Sequence, residues 1–341
     1  MRSRLDEQVR RGTLASSILF TGPPGIGKQR LALWLAQRLL CESPSAPCGE
    51  CQHCRFVLDG THPDLLWIFP RPNLRDPSAS PEEVAADVAE AIAERVAQGG
   101  VYARPDGSSG IFRYVTRLLV QRASMSPAMA RRKIFIVGEA DRMVPQAANE
   151  EAANAFLKLL EEPQANTTLI LTSSEAGALL PTIRSRVIEM RVRRLTDADV
   201  RQFLALPAAS AIAAQGDATS LVTLAHGAPG ALVDAAPRAA AVQRAEAMLD
   251  AATTHRDRLY RVAYAQGAAG ARGPFSDALD ALSELMHARS RRAADDGDAR
   301  VAAAAARAMV AIEDAKRDAE RNATPQLVAF RMLSRMAEDL T

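Results

Sequence analysis

The stretch Ser16-Ser-Ile-Leu-Phe-Thr-Gly22-Pro-Pro-Gly-Ile-Gly-Lys28 determines the fold expected for the N-terminal half of the chain. Its apolar residues predict a buried strand, and the leucine spacing after Lys28 predicts an amphipathic helix. Between them, residues 22–28 match every position but the last of the phosphate-binding motif Gly-x-x-x-x-Gly-Lys-Ser/Thr. A chance lysine in a glycine-rich turn is the alternative, which the flanking strand and helix disfavour. The predicted phosphate-binding residues are Gly22, Gly25, Gly27 and Lys28.

The metal ligands of such a site depart from the pattern. Gln29 stands where a Ser or Thr hydroxyl would hold Mg²⁺, and Gly138 stands where the next core strand would supply an acid. Glu139 is retained at the position of a water-activating carboxylate; alternatively, Glu139 and Asp141 form a solvated strand end. Gln29 and Glu139 remain candidates for contact with nucleotide. We expect weak or absent ATP binding and no hydrolysis, and we expect Gln29→Thr with Gly138→Asp to revive binding.

The cysteines of the chain all lie between positions 41 and 54. Cys48-x-x-Cys51-x-x-Cys54 can surround a tetrahedral ion, and Cys41 can complete the site. Four thiolates saturate Zn²⁺, so the predicted zinc site is structural. Disulfides are the alternative, which a reducing compartment disfavours. His53 could replace one ligand, but four cysteines suffice, and we predict it to be a surface histidine.

Composition narrows the classes of function. The net charge is +2, from 42 basic and 40 acidic residues, which argues against a dedicated DNA-binding surface. An aromatic content of 4% argues against a zinc-dependent nucleic-acid-binding module. The polar N-terminus is not a signal peptide, and no apolar run could span a membrane. We therefore expect a cytoplasmic protein with no membrane contact.

The elements after the P-loop are typical of a parallel α/β sheet followed by helices. Residues 71–110, rich in Pro, Ser, Ala and Gly, are predicted to be a surface insertion around one helix. After about residue 194 the strand signal disappears, and Thr324-Pro325 marks the start of the last helix. Strands are predicted at 133–138, 167–173 and 187–192, and helices at 81–98, 149–162, 197–206, 217–226 and from 239 onward.

Several motifs occur in a characteristic order. Besides the cysteine cluster, they are LASSILFTG (14–22), GTHPDL (60–65), AAN (147–149), NAFLKLLEEP (154–163) and LPTIRSR (180–186). Over about residues 5–195 they closely resemble the delta-prime subunits of the bacterial DNA polymerase III clamp loader, which are AAA+ proteins. The gamma/tau ATPases share most of these motifs. His62-Pro63-Asp64, the altered metal ligands and the short C-terminus favour delta-prime.

The resemblance implies three domains and a place in a ring of subunits. Residues 1–195 would form an α/β AAA+ P-loop domain with a zinc module at about 41–54 and the insertion at about 71–110. Residues 196–238 would form a small helical lid, and 239–341 an all-α C-terminal collar for oligomerisation. The implied partners are gamma/tau and delta subunits and, through the complex, the sliding clamp and primed DNA.

The resemblance also assigns a role to Ser185 and Arg186. Alone, a Ser-Arg pair is a weak signal, because a lone arginine is usually a solvated side chain. In the family it projects into the ATP site of a neighbouring gamma/tau subunit, where Arg186 would act in trans. The family motif commonly ends in Cys, where this chain has Val187. Ala231 stands where active relatives carry a nucleotide-sensing arginine.

Two functions therefore compete. The first is a non-motor (stator) subunit without ATPase activity of its own, working as a component of a DNA polymerase holoenzyme. The second is an active clamp-loader ATPase of the gamma/tau type. Gln29, Gly138 and Ala231 count against the second function, whereas Lys28 and Glu139 leave it open.

Overall fold

The computed structural model describes residues 1–74, 79–100, 109–143, 150–175, 177–233, 235–254, 256–266, 272–320 and 323–340. The described chain divides into two compact units, Met1–Val233 and Asp234–Thr341. The Ala147-Ala148-Asn149 motif and parts of the 71–110 insertion lie outside the described residues. None of the described helices has the length and apolar character needed to cross a membrane.

A five-stranded sheet forms the centre of the first unit. Its order is β2-β3-β4-β1-β5 and every pairing is parallel, as the alternation of strands and helices predicted. Every residue of β1, β3 and β4 is buried, since helices cover the sheet. The strands are β1 Ser17–Thr21, β2 Leu65–Ile68, β3 Lys133–Val137, β4 Thr167–Ser173 and β5 Ile188–Arg191. Strand β2 was not predicted from the sequence.

The helices around the sheet include three that the sequence indicated and four that it did not. The predicted helices after Lys28, near 81–98 and near 149–162 are present, whereas α1, α3, α5 and α7 were missed. A capping box between Ser80 and Glu83, with Pro81 at the first helical position, begins α4. The helices are α1 Arg2–Arg10, α2 Lys28–Leu40, α3 Gln52–Leu58, α4 Pro81–Ala97, α5 Arg113–Ser124, α6 Glu150–Glu161 and α7 Pro181–Arg184.

Helix α4 corrects the expectation of a surface insertion. Its residues Val84, Val88 and Ile92 are buried and belong to the same apolar core as the sheet. The composition of the flanking segments suggested a loop on the surface, but the apolar face of the helix packs inward.

Three short helices complete the first unit: α8 Asp197–Leu204, α9 Ser210–Ala213 and α10 Ala218–Ala225. Thr196 and Asp217 cap α8 and α10 through their side-chain oxygens. Their buried side chains, among them Val200 and Leu221, form an apolar cluster with Leu232 that is separate from the sheet core. Helices α8 and α10 occur where the sequence predicted them, whereas α9 was not predicted. The division of the chain into three domains stays a prediction.

The second unit is all-helical within its described residues, as the alanine-rich composition predicted. The alanines Ala245, Ala278 and Ala308 are fully buried and let neighbouring helices approach closely, with Met248 and Met286 filling the remaining space. The last helix begins at Pro325, as predicted. The helices are α11 Ala235–Thr253, α12 Arg256–Tyr264, α13 Arg272–Asp295, α14 Ala299–Glu320 and α15 Pro325–Leu340.

Candidate functional site

The P-loop connects β1 to α2 at the carboxyl edge of the sheet. Gly22, Gly25 and Gly27 have φ of 146°, 75° and 86°, which side chains rarely tolerate and which turn backbone N–H groups toward one side. Gly27 is the N-cap of α2, so the predicted strand–loop–helix order is confirmed. The carboxyl ends of β3 and β4 meet the loop at the same edge, where α/β sheets bind ligands.

Lys28 is buried, and its ammonium group is hydrogen-bonded to the P-loop and to Ser174. Its ammonium nitrogen donates hydrogen bonds to the carbonyl oxygens of Gly22 and Pro23, both at 2.8 Å, and to the hydroxyl of Ser174 at 3.0 Å. The backbone N–H of Ser174 in turn donates to Asp141 at 3.3 Å. Ser174 was missed from the sequence because it follows β4, far along the chain from the P-loop.

Gln29 turns toward the sheet rather than offering a free oxygen to a metal. Its amide oxygen accepts hydrogen bonds from the indole N–H of Trp67 at 2.9 Å and from Arg95 at 3.1 Å. A β-carbon at position 138 would collide with this amide, so Gln29 fills the space that Gly138 leaves. The residues present do not fit Mg²⁺, because two N–H donors, one of them cationic, face the oxygen and position 138 supplies no ligand.

Glu139 follows β3 with φ of 51°, an uncommon backbone conformation for a residue other than glycine. Its backbone N–H donates to the hydroxyl of Thr172 at 3.0 Å. Its carboxylate lies 3.6 Å from the guanidinium of Arg142, and its side chain is only 16% exposed. Glu139 is therefore a half-buried, paired carboxylate rather than a solvated strand end.

The segment at 228–231 lies directly against the P-loop. The backbone N–H of Gly230 donates to the carbonyl oxygen of Gly25 at 2.9 Å, and a β-carbon on Gly25 would lie 3.2 Å from the backbone nitrogen of Ala231. Ala231 thus stands beside the phosphate loop, as the family resemblance implied. Its methyl group offers no charge to a nucleotide.

The cysteines form one compact cluster, with all sulfur atoms within 4.8 Å of one another. The Cys41 and Cys48 sulfurs lie 3.6 Å apart, and those of Cys41 and Cys51 lie 3.8 Å apart. A tetrahedral Zn²⁺ with bonds of about 2.3 Å holds its sulfurs about 3.8 Å apart, so the cluster fits zinc. A disulfide needs sulfurs about 2.05 Å apart, and the cysteines are free in the structure.

The thiols differ in how readily they ionise. Hydrogen bonds from the backbone N–H groups of Cys51 and Glu50 lower the pKa of Cys48 to about 6. Burial raises the pKa of Cys51, and burial raises that of Cys54 to about 12. A divalent cation would supply the charge that lets all four sulfurs be thiolates together.

His53 is not the surface histidine that was predicted. It is half-buried, and its Nδ1 lies 2.9 Å from Nε2 of His62. Because Nδ1 of His62 accepts from the backbone N–H of Asp64 at 3.0 Å, the proton of neutral His62 is on Nε2 and is donated to His53. Asp64 accepts three backbone N–H groups at 128–130, at 2.5–2.8 Å. The GTHPDL motif thus connects the cysteine cluster to the loop before β3.

Arg186 lies two residues after the end of α7, and contacts within its own chain hold its side chain. It forms an ion pair with Glu161 and donates to the carbonyl oxygen of Thr182 at 2.8 Å and to the hydroxyl of Ser185 at 3.2 Å. The side chain is 28% exposed. Its buried Nε has no hydrogen-bond partner among the described residues. Glu161 was not singled out from the sequence, although it belongs to the NAFLKLLEEP motif.

Comparison with known proteins gives one family match and several relatives. The family model described as DNA polymerase III, delta subunit, matches residues 1–196. DNA polymerase III subunit delta' of Pseudomonas aeruginosa is 35% identical over 51% of this chain and 42% of its own length. DNA polymerase III subunit delta' of Bacillus subtilis is 28% identical over 53% of this chain and 43% of its own length. DNA polymerase III subunit gamma/tau of Mycobacterium tuberculosis is 34% identical over 57% of this chain and 27% of its own length. The matched region therefore spans less than half of each relative.

Proposed function

The chain belongs to the delta-prime family of bacterial DNA polymerase III subunits, and we propose that it serves as a non-motor subunit of the clamp loader. In this role it assembles with gamma/tau and delta subunits into a ring that loads the sliding clamp onto primed DNA. The observation that carries the proposal is that the side chain of Gln29, lying against Gly138, fills the position where a P-loop enzyme would bind its metal. A subunit that cannot hold Mg²⁺ at its own phosphate loop can still contribute to hydrolysis in a neighbour.

Three features support the absence of ATPase activity in this chain. The amide oxygen of Gln29 already accepts hydrogen bonds from Trp67 and Arg95, and position 138 after β3 carries no carboxylate. Glu139 is paired with Arg142, so it is not poised to activate water. Phosphoryl transfer depends on a metal that neutralises the phosphates, and this chain lacks both protein ligands for it.

An active ATPase of the gamma/tau type is the second candidate function. It is supported by the intact glycine loop around Lys28 and by the 34% identity to a gamma/tau subunit. Ala231, which lies beside Gly25, argues against it because it supplies no charge to the phosphates. We favour the non-motor role.

We assign Arg186 to the neighbour's active site. It lies two residues after the end of α7 and is partly exposed, and its contacts with Glu161 and Thr182 hold it in one place. A guanidinium supplied in trans stabilises the charge that develops on a transferring phosphoryl group. Ser185, which accepts one of its N–H groups, would help to orient it.

We also propose that Cys41, Cys48, Cys51 and Cys54 hold one structural Zn²⁺. The metal would join the end of α2 to the start of α3, since Cys41 follows α2 and Cys51 is the N-cap of α3. All four positions are protein ligands, so no site remains for substrate.

The test is the activity of a complex assembled from this chain with gamma/tau and delta subunits. Arg186→Ala should lower DNA-stimulated ATP hydrolysis and clamp loading, while Arg184→Ala, at the exposed neighbouring arginine, should leave both unchanged. Arg186→Lys should not fully restore the rate, because an ammonium cannot reproduce the planar donor set of a guanidinium. Wild-type rates with Arg186→Ala would remove the trans-acting role.

A further inference from the structure

Helix α4 brings a buried arginine to the edge of the P-loop. Arg95 is 7% exposed, and its guanidinium donates to the amide oxygen of Gln29 at 3.1 Å. The guanidinium carbon lies 3.2 Å from the ring centre of Phe69 and 5.4 Å from that of Trp67. Both rings present π-electrons to the cation and help to hold it out of water.

The guanidinium stands where a P-loop enzyme would hold its metal. Gln29 occupies the position of the first metal ligand, and its amide lies against Gly138, the position of the second. Arg95 and Trp67 both donate hydrogen bonds to the amide oxygen of Gln29 at this position. A divalent cation placed there would meet a positive charge within a few ångströms, and repulsion between like charges is strong in a site shielded from water.

The position of α4 is fixed by packing. Ile92 lies so close to Gly60 that a β-carbon there would collide with it. Beyond the helix, a β-carbon on Gly100 would lie 2.5 Å from the guanidinium of Arg30, the residue that follows Gln29. Val84, Val88 and Ile92 are buried in the sheet core, so Arg95 is carried on a rigid element.

We propose that helix α4 closes the metal position of the P-loop, with the guanidinium of Arg95 taking the place of the divalent cation. The closure is independent of any role in a clamp loader. It gives helix α4 a role at the P-loop, and it revises the expectation that Gln29→Thr with Gly138→Asp would suffice to revive metal binding. In that double variant the guanidinium of Arg95 would remain beside the restored ligand positions and compete with a metal for the new carboxylate.

The experiment compares the Gln29→Thr/Gly138→Asp chain with the same chain carrying Arg95→Met. Methionine keeps an apolar stem against Trp67 and Phe69 but removes the charge. Mn²⁺ alone is the probe, and bound Mn²⁺ is measured by the loss of the free-ion electron paramagnetic resonance signal. We expect the triple variant to bind Mn²⁺ about tenfold or more tightly than the double variant, whose affinity should equal that of the unaltered chain.

Arg117→Met in the double background is the control, because Arg117 is an exposed arginine on the neighbouring helix α5. It should leave Mn²⁺ binding at the level of the double variant. Equal binding by the double and triple variants would overturn the proposal, and so would a folded triple variant that binds no Mn²⁺. Thermal melting establishes folding; if the Arg95→Met chain does not fold, Arg95→Gln in the same background gives the deciding comparison.

Discussion

At the scale of single residues, Gln29 and Gly138 form a complementary pair. The amide of Gln29 occupies the volume that any side chain at position 138 would need, and Trp67 and Arg95 hold it there. The two departures from the P-loop pattern are therefore one structural feature. A side chain cannot be added at position 138 without displacing the amide of Gln29.

This pairing predicts the effect of Gly138→Ala. The added methyl group meets the Gln29 amide in a packed interior, which we expect to cost about 1–3 kcal/mol of unfolding free energy. Gly177→Ala is the matched control, since no described atom lies within 4 Å of a β-carbon there. Urea denaturation should show a loss for position 138 and little change for position 177. Equal stability of the two variants would contradict the packing described for Gln29.

Asp64 is a second residue whose chemistry can be tested. Burial opposes its ionisation, but hydrogen bonds from the backbone N–H groups of Ala130, Ala128 and Met129 outweigh burial and lower its pKa. Its carboxylate therefore contributes stability that is fully present above the unfolded pKa of about 3.9. That contribution is lost as the pH falls through the lower folded pKa.

We expect Asp64→Asn to destabilise the chain near neutral pH by about 1–3 kcal/mol, because an amide cannot accept all three N–H groups. The difference from the unaltered chain should narrow as the pH falls below about 4. Asp59→Asn, at an exposed aspartate five positions earlier, should change little. Denaturation midpoints measured across pH test this, and a gap that widens in acid would refute it.

At the scale of elements, the cysteine cluster joins α2 to α3, and His53 connects it through His62 to the start of β2. We expect close to one zinc per chain in protein purified without added metal, and a loss of that zinc in Cys54→Ala. His53→Ala should keep the metal, since its ring contacts His62 rather than the sulfurs. Elemental analysis decides, and zinc that survives Cys54→Ala but not His53→Ala would contradict the ligand assignment.

The elements also explain what sequence reasoning could and could not find. The P-loop and the cysteines are predictable because their chemistry lies in short, contiguous motifs. Arg95 forms a hydrogen bond with Gln29, 66 residues away in the sequence, and Ser174 forms one with Lys28, 146 residues away. No sequence motif around Arg95 or Ser174 indicates these contacts. Strand β2 was missed because its four residues are too few to establish a periodicity, although the apolar run at 65–69 offered a hint.

At the scale of the whole molecule, the first unit carries the phosphate loop, the cysteine cluster and Arg186, and the second is an alanine-rich helical unit. The family relationship covers residues 1–196. In the proposed complex this chain hydrolyses no ATP at its own phosphate loop and contributes to hydrolysis only at the ATP site of a neighbouring subunit. Lys28 of the phosphate loop and Arg186 should therefore contribute very differently to the activity of the complex.

The most direct test compares Lys28→Met and Arg186→Ala, each assembled with gamma/tau and delta subunits, by their DNA-stimulated ATPase rates. Lys28→Met removes the charge of this chain's own loop and should leave the rate unchanged in a complex of normal composition. Arg186→Ala should lower it, since an arginine in trans is worth about 10³–10⁵ in rate at the site that it serves. The loss for the whole complex will be smaller, because the other ATP sites keep their own arginines. A rate that falls with Lys28→Met and is unaffected by Arg186→Ala would contradict the account.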